Sequence, residues 1–253
     1  MDGTIYLDDD LFDGTIDFLN YVKSVGGRYM FLTNNSSKSV SAYVEKLHRI
    51  GIDAVEEDFL TSTDATILHI KEKMSGRRFY SLGTRSFTEQ LREAGIDVTT
   101  TLDDGIDAIV MGNDNELTFK KLEDACILLG RGVDYIATNP DWVCPTAFGY
   151  VPDCGSVAEM LEHATGRKPY FIGKPRPEMI LLAMKKFGYT AEETLMMGDR
   201  MYTDIASGYN AGVDTIFVLS GEGTMKDVEV SEFKPTYIHK NIRATYNVLT
   251  KEN

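Results

Sequence analysis

The sequence predicts an α/β fold: a parallel sheet covered by helices, with a second α/β segment inserted into it. Three observations carry this. Short apolar runs alternate with stretches of helical period along the chain. The alternation pauses at Gly76-Arg77-Arg78, which reads as a linker, and then resumes. Four expected strand ends carry residues suited to one kind of chemistry, namely Asp2, Thr33, Lys174 and Asp199.

The chain opens with Met1-Asp2-Gly3-Thr4-Ile5-Tyr6-Leu7, which reads as a strand end turning into a tight loop. The carboxylate run Asp8-Asp9-Asp10 reads as a solvated turn, since three adjacent side chains converge poorly on a metal. Thr15 can cap a helix running to about Ser24, with Ile16, Leu19 and Val22 on one face and Gly26-Gly27 after it. The run from Arg28 to Asn35 reads as a strand ending in small polar residues. Val40, Tyr43, Val44, Leu47 and Ile50 have helical spacing, with Gly51 following, and a further helix is expected from Ser62 to about Lys73.

Beyond the linker, Phe79 to Gly83, Asp107 to Met111 and Tyr135 to Thr138 read as strands. Arg85 to Ala94, Thr118 to Leu129 and Val157 to Thr165 read as helices. Asn139 to Ser156 carries Pro140, Pro145 and Pro152 and reads as loop. Pro169 to Pro175 resumes strand-to-loop character, and Arg176-Pro177 opens a helix to about Phe187. Thr194 to Asp199 is expected as a strand, Asp204 to Ala211 as a helix, and Thr215 to Leu219 as an apolar strand before Ser220-Gly221-Glu222-Gly223.

At 253 residues the chain can hold one large domain or two modest ones. With 43% hydrophobic and 26% charged residues it reads as globular rather than disordered. A net charge of −13 argues against nucleic acid or an acidic membrane as partner, since both are polyanions. A small phosphorylated substrate remains compatible with a locally positive site. Cys126, Cys144 and Cys154 lack the pairing or spacing of a disulfide framework or a zinc site, so a reducing cytoplasm fits best. No apolar run reaches membrane-spanning length, and no signal-peptide pattern stands at the start.

In a parallel sheet the C-terminal strand ends share one edge, where ligands bind. Thr33 offers a hydroxyl there, and Asn34 and Asn35 offer amides to phosphate oxygens. Lys174 supplies a cation to offset phosphoryl charge. Asp199 is a hard oxygen ligand suited to Mg²⁺, and Asp204 can support it.

These residues and their order resemble the haloacid dehalogenase superfamily of phosphatases, specifically its NagD-like, 4-nitrophenylphosphatase-type branch. The resemblance rests on Asp2-Gly3-Thr4-Ile5-Tyr6, Phe31-Leu32-Thr33-Asn34-Asn35, Ile172-Gly173-Lys174-Pro175 and Gly198-Asp199 through Asp204-Ile205. Ala137-Thr138-Asn139-Pro140-Asp141 matches a signature of the branch's cap. It implies a Rossmann-like core at 1–76 and 167–253, with a C2-type α/β cap at 77–166. It also implies a Mg²⁺-dependent phosphatase of small phosphate monoesters acting through an aspartyl-phosphate. Asp2 would be the general acid and base, with Thr33 and Lys174 on the phosphoryl group. Mg²⁺ would be held at Asp2 (through its carbonyl), Asp199 and Asp204. Asn34, Asn35 and Asn139 are the expected substrate contacts, Asp141 either contacts substrate or simply caps a turn, and caps of this size can form homodimers.

Two departures from the family pattern stand out. Asp153 occupies a position where the family usually has glycine. The nucleophilic aspartate belongs two residues before Asp2, ahead of Met1, with the strand that leads to it. The expectation is therefore a truncated, inactive form of a longer enzyme, the alternative being a non-catalytic module that binds a phosphorylated ligand.

Overall fold

The computed structural model describes residues 1–146 and 148–251. In chain order the first elements are strands β1 (Tyr6–Leu7) and β2 (Asp10–Leu11), helix α1 (Thr15–Ser24), β3 (Phe31–Thr33), α2 (Val40–Arg49), β4 (Phe59–Thr61) and α3 (Ser62–Lys73). There follow β5 (Arg78–Leu82), α4 (Arg85–Glu93), β6 (Asp97–Thr99), β7 (Ala108–Met111), α5 (Phe119–Gly130), β8 (Asp134–Ala137), β9 (Val143–Thr146), β10 (Gly149–Pro152) and α6 (Cys154–Thr165). The chain closes with β11 (Tyr170–Phe171), α7 (Glu178–Phe187), β12 (Leu195–Gly198), α8 (Ala206–Ala211), β13 (Asp214–Val218), α9 (Met225–Val230), β14 (Tyr237–His239) and α10 (Ile242–Lys251). No described helix is long and apolar enough to cross a membrane.

The chain forms two compact units. The first comprises Met1–Leu32, Tyr43–Leu60 and Lys174–Asn253; the second comprises Thr33–Ala42 and Thr61–Gly173. The second therefore takes in α3 and the segment after β3, beyond the expected 77–166.

In the first unit β12, β13 and β14 form a parallel sheet in that order. β13 is buried from Thr215 to Val218, and Ile216, Phe217 and Val218 are nearly or fully inaccessible, as continuous apolar strands must be under helices on both faces. Tyr29, Phe31, Phe59 and Tyr43 make an aromatic ladder with centroids 5.2, 5.2 and 6.0 Å apart. β1 and β2 pair as a short antiparallel hairpin. Its turn holds Asp8 at φ 50°, and Asp8 to Asp10 are exposed, as a solvated turn requires. The expected cap of α1 is corrected. Gly14 takes the capping position, and the Thr15 hydroxyl instead donates to the Ile5 carbonyl at 2.9 Å.

The second unit holds a parallel sheet in the order β11-β8-β7-β5-β6. β7 is buried throughout, and Tyr80, Leu82, Ile109, Met111, Leu128, Tyr135 and Leu161 pack as one core. Each such side chain contributes about 1.5–3 kcal/mol. Thr84, Thr118 and Asp153 cap α4, α5 and α6 through their side-chain oxygens. The proline-rich stretch expected as loop contains an antiparallel hairpin, β9 paired with β10. Proline is tolerated because a two-stranded ribbon is all edge.

Candidate active site

The first unit gathers its expected residues around the end of β12. Asp199 follows the strand directly. Its Oδ1 accepts the Thr4 hydroxyl at 3.0 Å, and its Oδ2 accepts the Glu222 amide at 3.0 Å. The Gly223 amide donates to the Asp199 carbonyl at 3.0 Å. Ser220 joins the same loop to the opening turn by donating to the Gly3 carbonyl at 2.7 Å. Gly3 sits at φ 77°, and a side chain there or at Gly221 would overlap the Asp199 carboxylate. Glycine at both positions lets backbone close around this one acid.

The chain then makes a wide, π-type turn over Met201–Ile205 that carries Asp204, so the helix expected from Asp204 starts in regular form only at Ala206. Asp204 Oδ2 accepts the Arg200 amide at 3.2 Å, which turns the carboxylate back toward the strand end. Its Oδ1 pairs with Lys174 Nζ at 2.6 Å, and both residues are only 6% exposed. Lys174 Nζ also lies 3.5 Å from the Leu32 carbonyl. Arg200 Nε pairs with Glu222 at 2.8 Å.

The two acids titrate in opposite directions. Burial and the neighbouring Asp204 charge push the Asp199 carboxyl up. Burial opposes ionisation of Asp204 as well, but the Lys174 ammonium overrides it and holds this carboxyl below its usual range. Two buried carboxylates thus stand at one strand end, with Lys174 paired to Asp204, and offer hard oxygens there. That donor set fits Mg²⁺, which binds through one or two carboxylates and keeps further positions for water and phosphate.

Asp2 lies in the opening turn. Its carboxylate is 42% exposed and lies 3.9 Å from Lys46 Nζ, which itself stands 4.0 Å over the Tyr6 ring.

Thr33, Asn34, Asn35, Asn139 and Asp141 belong to the second unit. Thr33 is buried, and its hydroxyl accepts the Asn35 amide at 3.3 Å. Asn35 Oδ1 accepts the Ser37 amide and hydroxyl at 2.9 and 2.7 Å. Asn34 Nδ2 donates to Asp141 Oδ2 at 2.8 Å, and Asn139 Nδ2 donates to the same oxygen at 3.0 Å. Asn139 is inaccessible and Asp141 is 3% exposed. The expectation that these two face substrate is corrected: they form a buried polar network with Asn34. The family's glycine position is explained by the same region. Asp153 caps α6 by accepting the Cys154 amide at 2.6 Å, with an extended backbone (φ −107°) that needs no glycine.

The sequence reading passed over Thr4, Lys46, Arg200 and the Glu222-Gly223 turn. The last had a usable signal, since Ser220-Gly221-Glu222-Gly223 follows an apolar strand as the other site residues do.

The family profile "haloacid dehalogenase-like hydrolase" matches residues 1–97, and a second, HAD-hydrolase-like profile matches residues 171–245. The acid sugar phosphatase of Staphylococcus aureus is 36% identical over 99% of this chain and 96% of its own length. A 4-nitrophenylphosphatase from Thermotoga maritima superposes with a TM-score of 0.90 at 40% identity, covering 98% of this chain and 94% of that one. A glycerol phosphate phosphatase from Mycobacterium tuberculosis, solved in complex with magnesium, gives a TM-score of 0.90 at 29% identity, covering 96% and 74%. With its strand-end acids, its buried lysine and this likeness along nearly its whole length, the chain belongs to the haloacid dehalogenase-like hydrolases, in their NagD-like branch of phosphoric monoester hydrolases.

Proposed function

We propose that the site serves Mg²⁺-dependent hydrolysis of small phosphate monoesters, with sugar and polyol phosphates as the leading substrates. The observation that carries this is the buried Asp199–Asp204–Lys174 group at the end of β12. The substrate class follows the acid sugar phosphatase and glycerol phosphate phosphatase among the relatives.

Asp199 and Asp204, with the Asp2 carbonyl, would hold Mg²⁺. When bound, the ion neutralises charge on the phosphoryl oxygens. Lys174 places its ammonium at the same strand edge and keeps Asp204 ionised. Thr33 binds a phosphoryl oxygen through its hydroxyl, with backbone amides beside Asn34 and Asn35. Asp2 gives its proton to the leaving oxygen and then takes one from the attacking water, a task that suits a partly exposed carboxyl. Attack on phosphorus, forming the aspartyl-phosphate, is the task that the family resemblance gives to an aspartate nucleophile.

The test is an assay on 4-nitrophenyl phosphate and a panel of sugar, polyol and nucleoside phosphates, with and without Mg²⁺. It compares the protein with its Lys174→Met variant. Mg²⁺-dependent turnover by the protein, abolished by Lys174→Met, is the expected result. A protein inert on the whole panel overturns the proposal, and phosphate binding without turnover would favour a non-catalytic module.

A further inference from the structure

The sheet of the second unit has its own topological switch. From β5 the chain passes to β6 on one side, and then to β7 on the other. The crevice beyond the C-terminal ends of β5 and β7 is where open α/β sheets receive ligands. Here it receives the chain's own Ser36–Ser37. The Asn113 amide, just past β7, donates to Ser36 Oγ at 2.8 Å. Thr84, just past β5, donates from its hydroxyl to the Ser37 carbonyl at 3.3 Å. Gly112 leaves the room, because a Cβ there would lie 2.9 Å from Ser36 Oγ.

The bonds continue inward as one chain. Thr138 Oγ1 gives its proton to Asn139 Oδ1 at 2.8 Å, so Ser36 donates to Thr138 Oγ1 at 3.0 Å. Asn139 then donates to Asp141, which also accepts Asn34. Ser62 closes the far side by donating to the Asn34 carbonyl at 2.6 Å. Ser36, Thr138 and Asn139 are inaccessible, and Asp141 nearly so. A buried, closed relay of this kind admits one arrangement, because any member that shifts strands its neighbours' polar groups.

We infer that Ser36, Thr138 and Asp141 are positioning residues. They hold the Thr33–Asn35 segment in the shape that binds a phosphoryl group, while touching no substrate themselves. The inference rests on the proposed phosphate role of Thr33.

The experiment measures binding of inorganic phosphate by calorimetry in the presence of Mg²⁺, alongside melting temperature, for Thr138→Val, Thr138→Ser, Ser36→Ala, Thr33→Val and Lys174→Met. Thr138→Val and Ser36→Ala are expected to raise the Kd about five- to tenfold, as loss of one orienting hydrogen bond does. Thr138→Ser keeps the hydroxyl and is expected to stay within about twofold of the parent. A structural role alone would lower the melting temperature and leave the Kd of the folded variants unchanged, which overturns the inference. Ser36→Ala decides the matter if Thr138→Val fails to fold. If Thr33→Val and Lys174→Met weaken binding while Thr138→Val and Ser36→Ala do not, this inference alone falls. If the parent binds no phosphate, or Thr33→Val and Lys174→Met have no effect, the functional reading falls and takes the inference with it.

Discussion

Lys174 and Asp204 show how much a single buried pair can decide. Each charge is held in the interior chiefly by the other, 2.6 Å away. Asp204→Asn should therefore destabilise the protein by about 3–5 kcal/mol, the usual cost of orphaning a buried charge. Lys174→Met should cost a similar amount. The double variant should cost clearly less than the sum, because it leaves no unpaired ion. Urea unfolding with a chelator present measures all three, and strict additivity would refute the argument. Cys154 is the opposite case, a buried group that stays neutral. Burial, then the neighbouring Asp153 charge, pushes its thiol up to about 12 from an ordinary value of 9.0. Cys126 and Cys144 are partly exposed. A thiol reagent at about pH 8 should thus modify two cysteines in the native protein, and the third only on unfolding. The sign of the linkage follows: the folded state keeps a proton that the unfolded state loses. Cys154's contribution to stability is complete below pH 9 and lost as pH rises from there toward 12. Rapid labelling of all three thiols in the native protein would contradict this. Side chains such as Lys174 and Asp199 were legible in the sequence because they stand at the ends of apolar runs. The partners of Asn34 were not, because Asp141 lies 107 residues away and only the fold joins them.

Among the elements, α6 ties the sequence departure at Asp153 to a physical role. The carboxylate caps the helix and also lies 3.4 Å from Asn139 Nδ2. Asp153→Ala should cost about 1 kcal/mol, whereas Asp153→Gly should cost only a few tenths, since glycine is itself a fair cap. Denaturant midpoints for the two variants distinguish this from a position that requires glycine, where the Gly variant would be the more stable protein. Elements with strong period and clear caps were readable in advance: α1 ends at Ser24, and α3 runs from Ser62 to Lys73, as their spacing and flanking residues indicate. The failures share a cause. β6 has three residues and β14 three, too few to show a period. β9 and β10 hide behind prolines that argue against strand except at an edge. β3 was expected from residue 28 to 35 and spans only Phe31–Thr33, because Asn34 and Asn35 turn away into side-chain bonds. Local pattern reports burial and period, while tertiary hydrogen bonding decides where an extended run stops pairing.

For the molecule as a whole, the dominant fact is charge: 39 acidic side chains face 26 basic ones. Many of the ion pairs that offset this excess are exposed. Arg49 pairs with Asp9, Arg85 with Glu89, and Arg243 with both Asp13 and Asp17, all with well-exposed acids. Exposed pairs of this kind are worth about 0–1 kcal/mol each, so screening them forfeits little. The net repulsion of a chain at −13 is long-ranged by comparison, and salt removes it more completely. Raising ionic strength from about 0.01 M to about 0.15 M shortens the screening length from about 30 Å to about 8 Å. The protein should gain on the order of 0.5–1 kcal/mol over that change, or about 1–4 °C in melting temperature for a chain of this size. Melting curves in sodium chloride, without phosphate or divalent ions, isolate the effect from binding at the site. A melting temperature that falls with salt would mean that the exposed pairs outweigh the acidic excess. Arg243, bound to two carboxylates at once, would then be the first pair to examine.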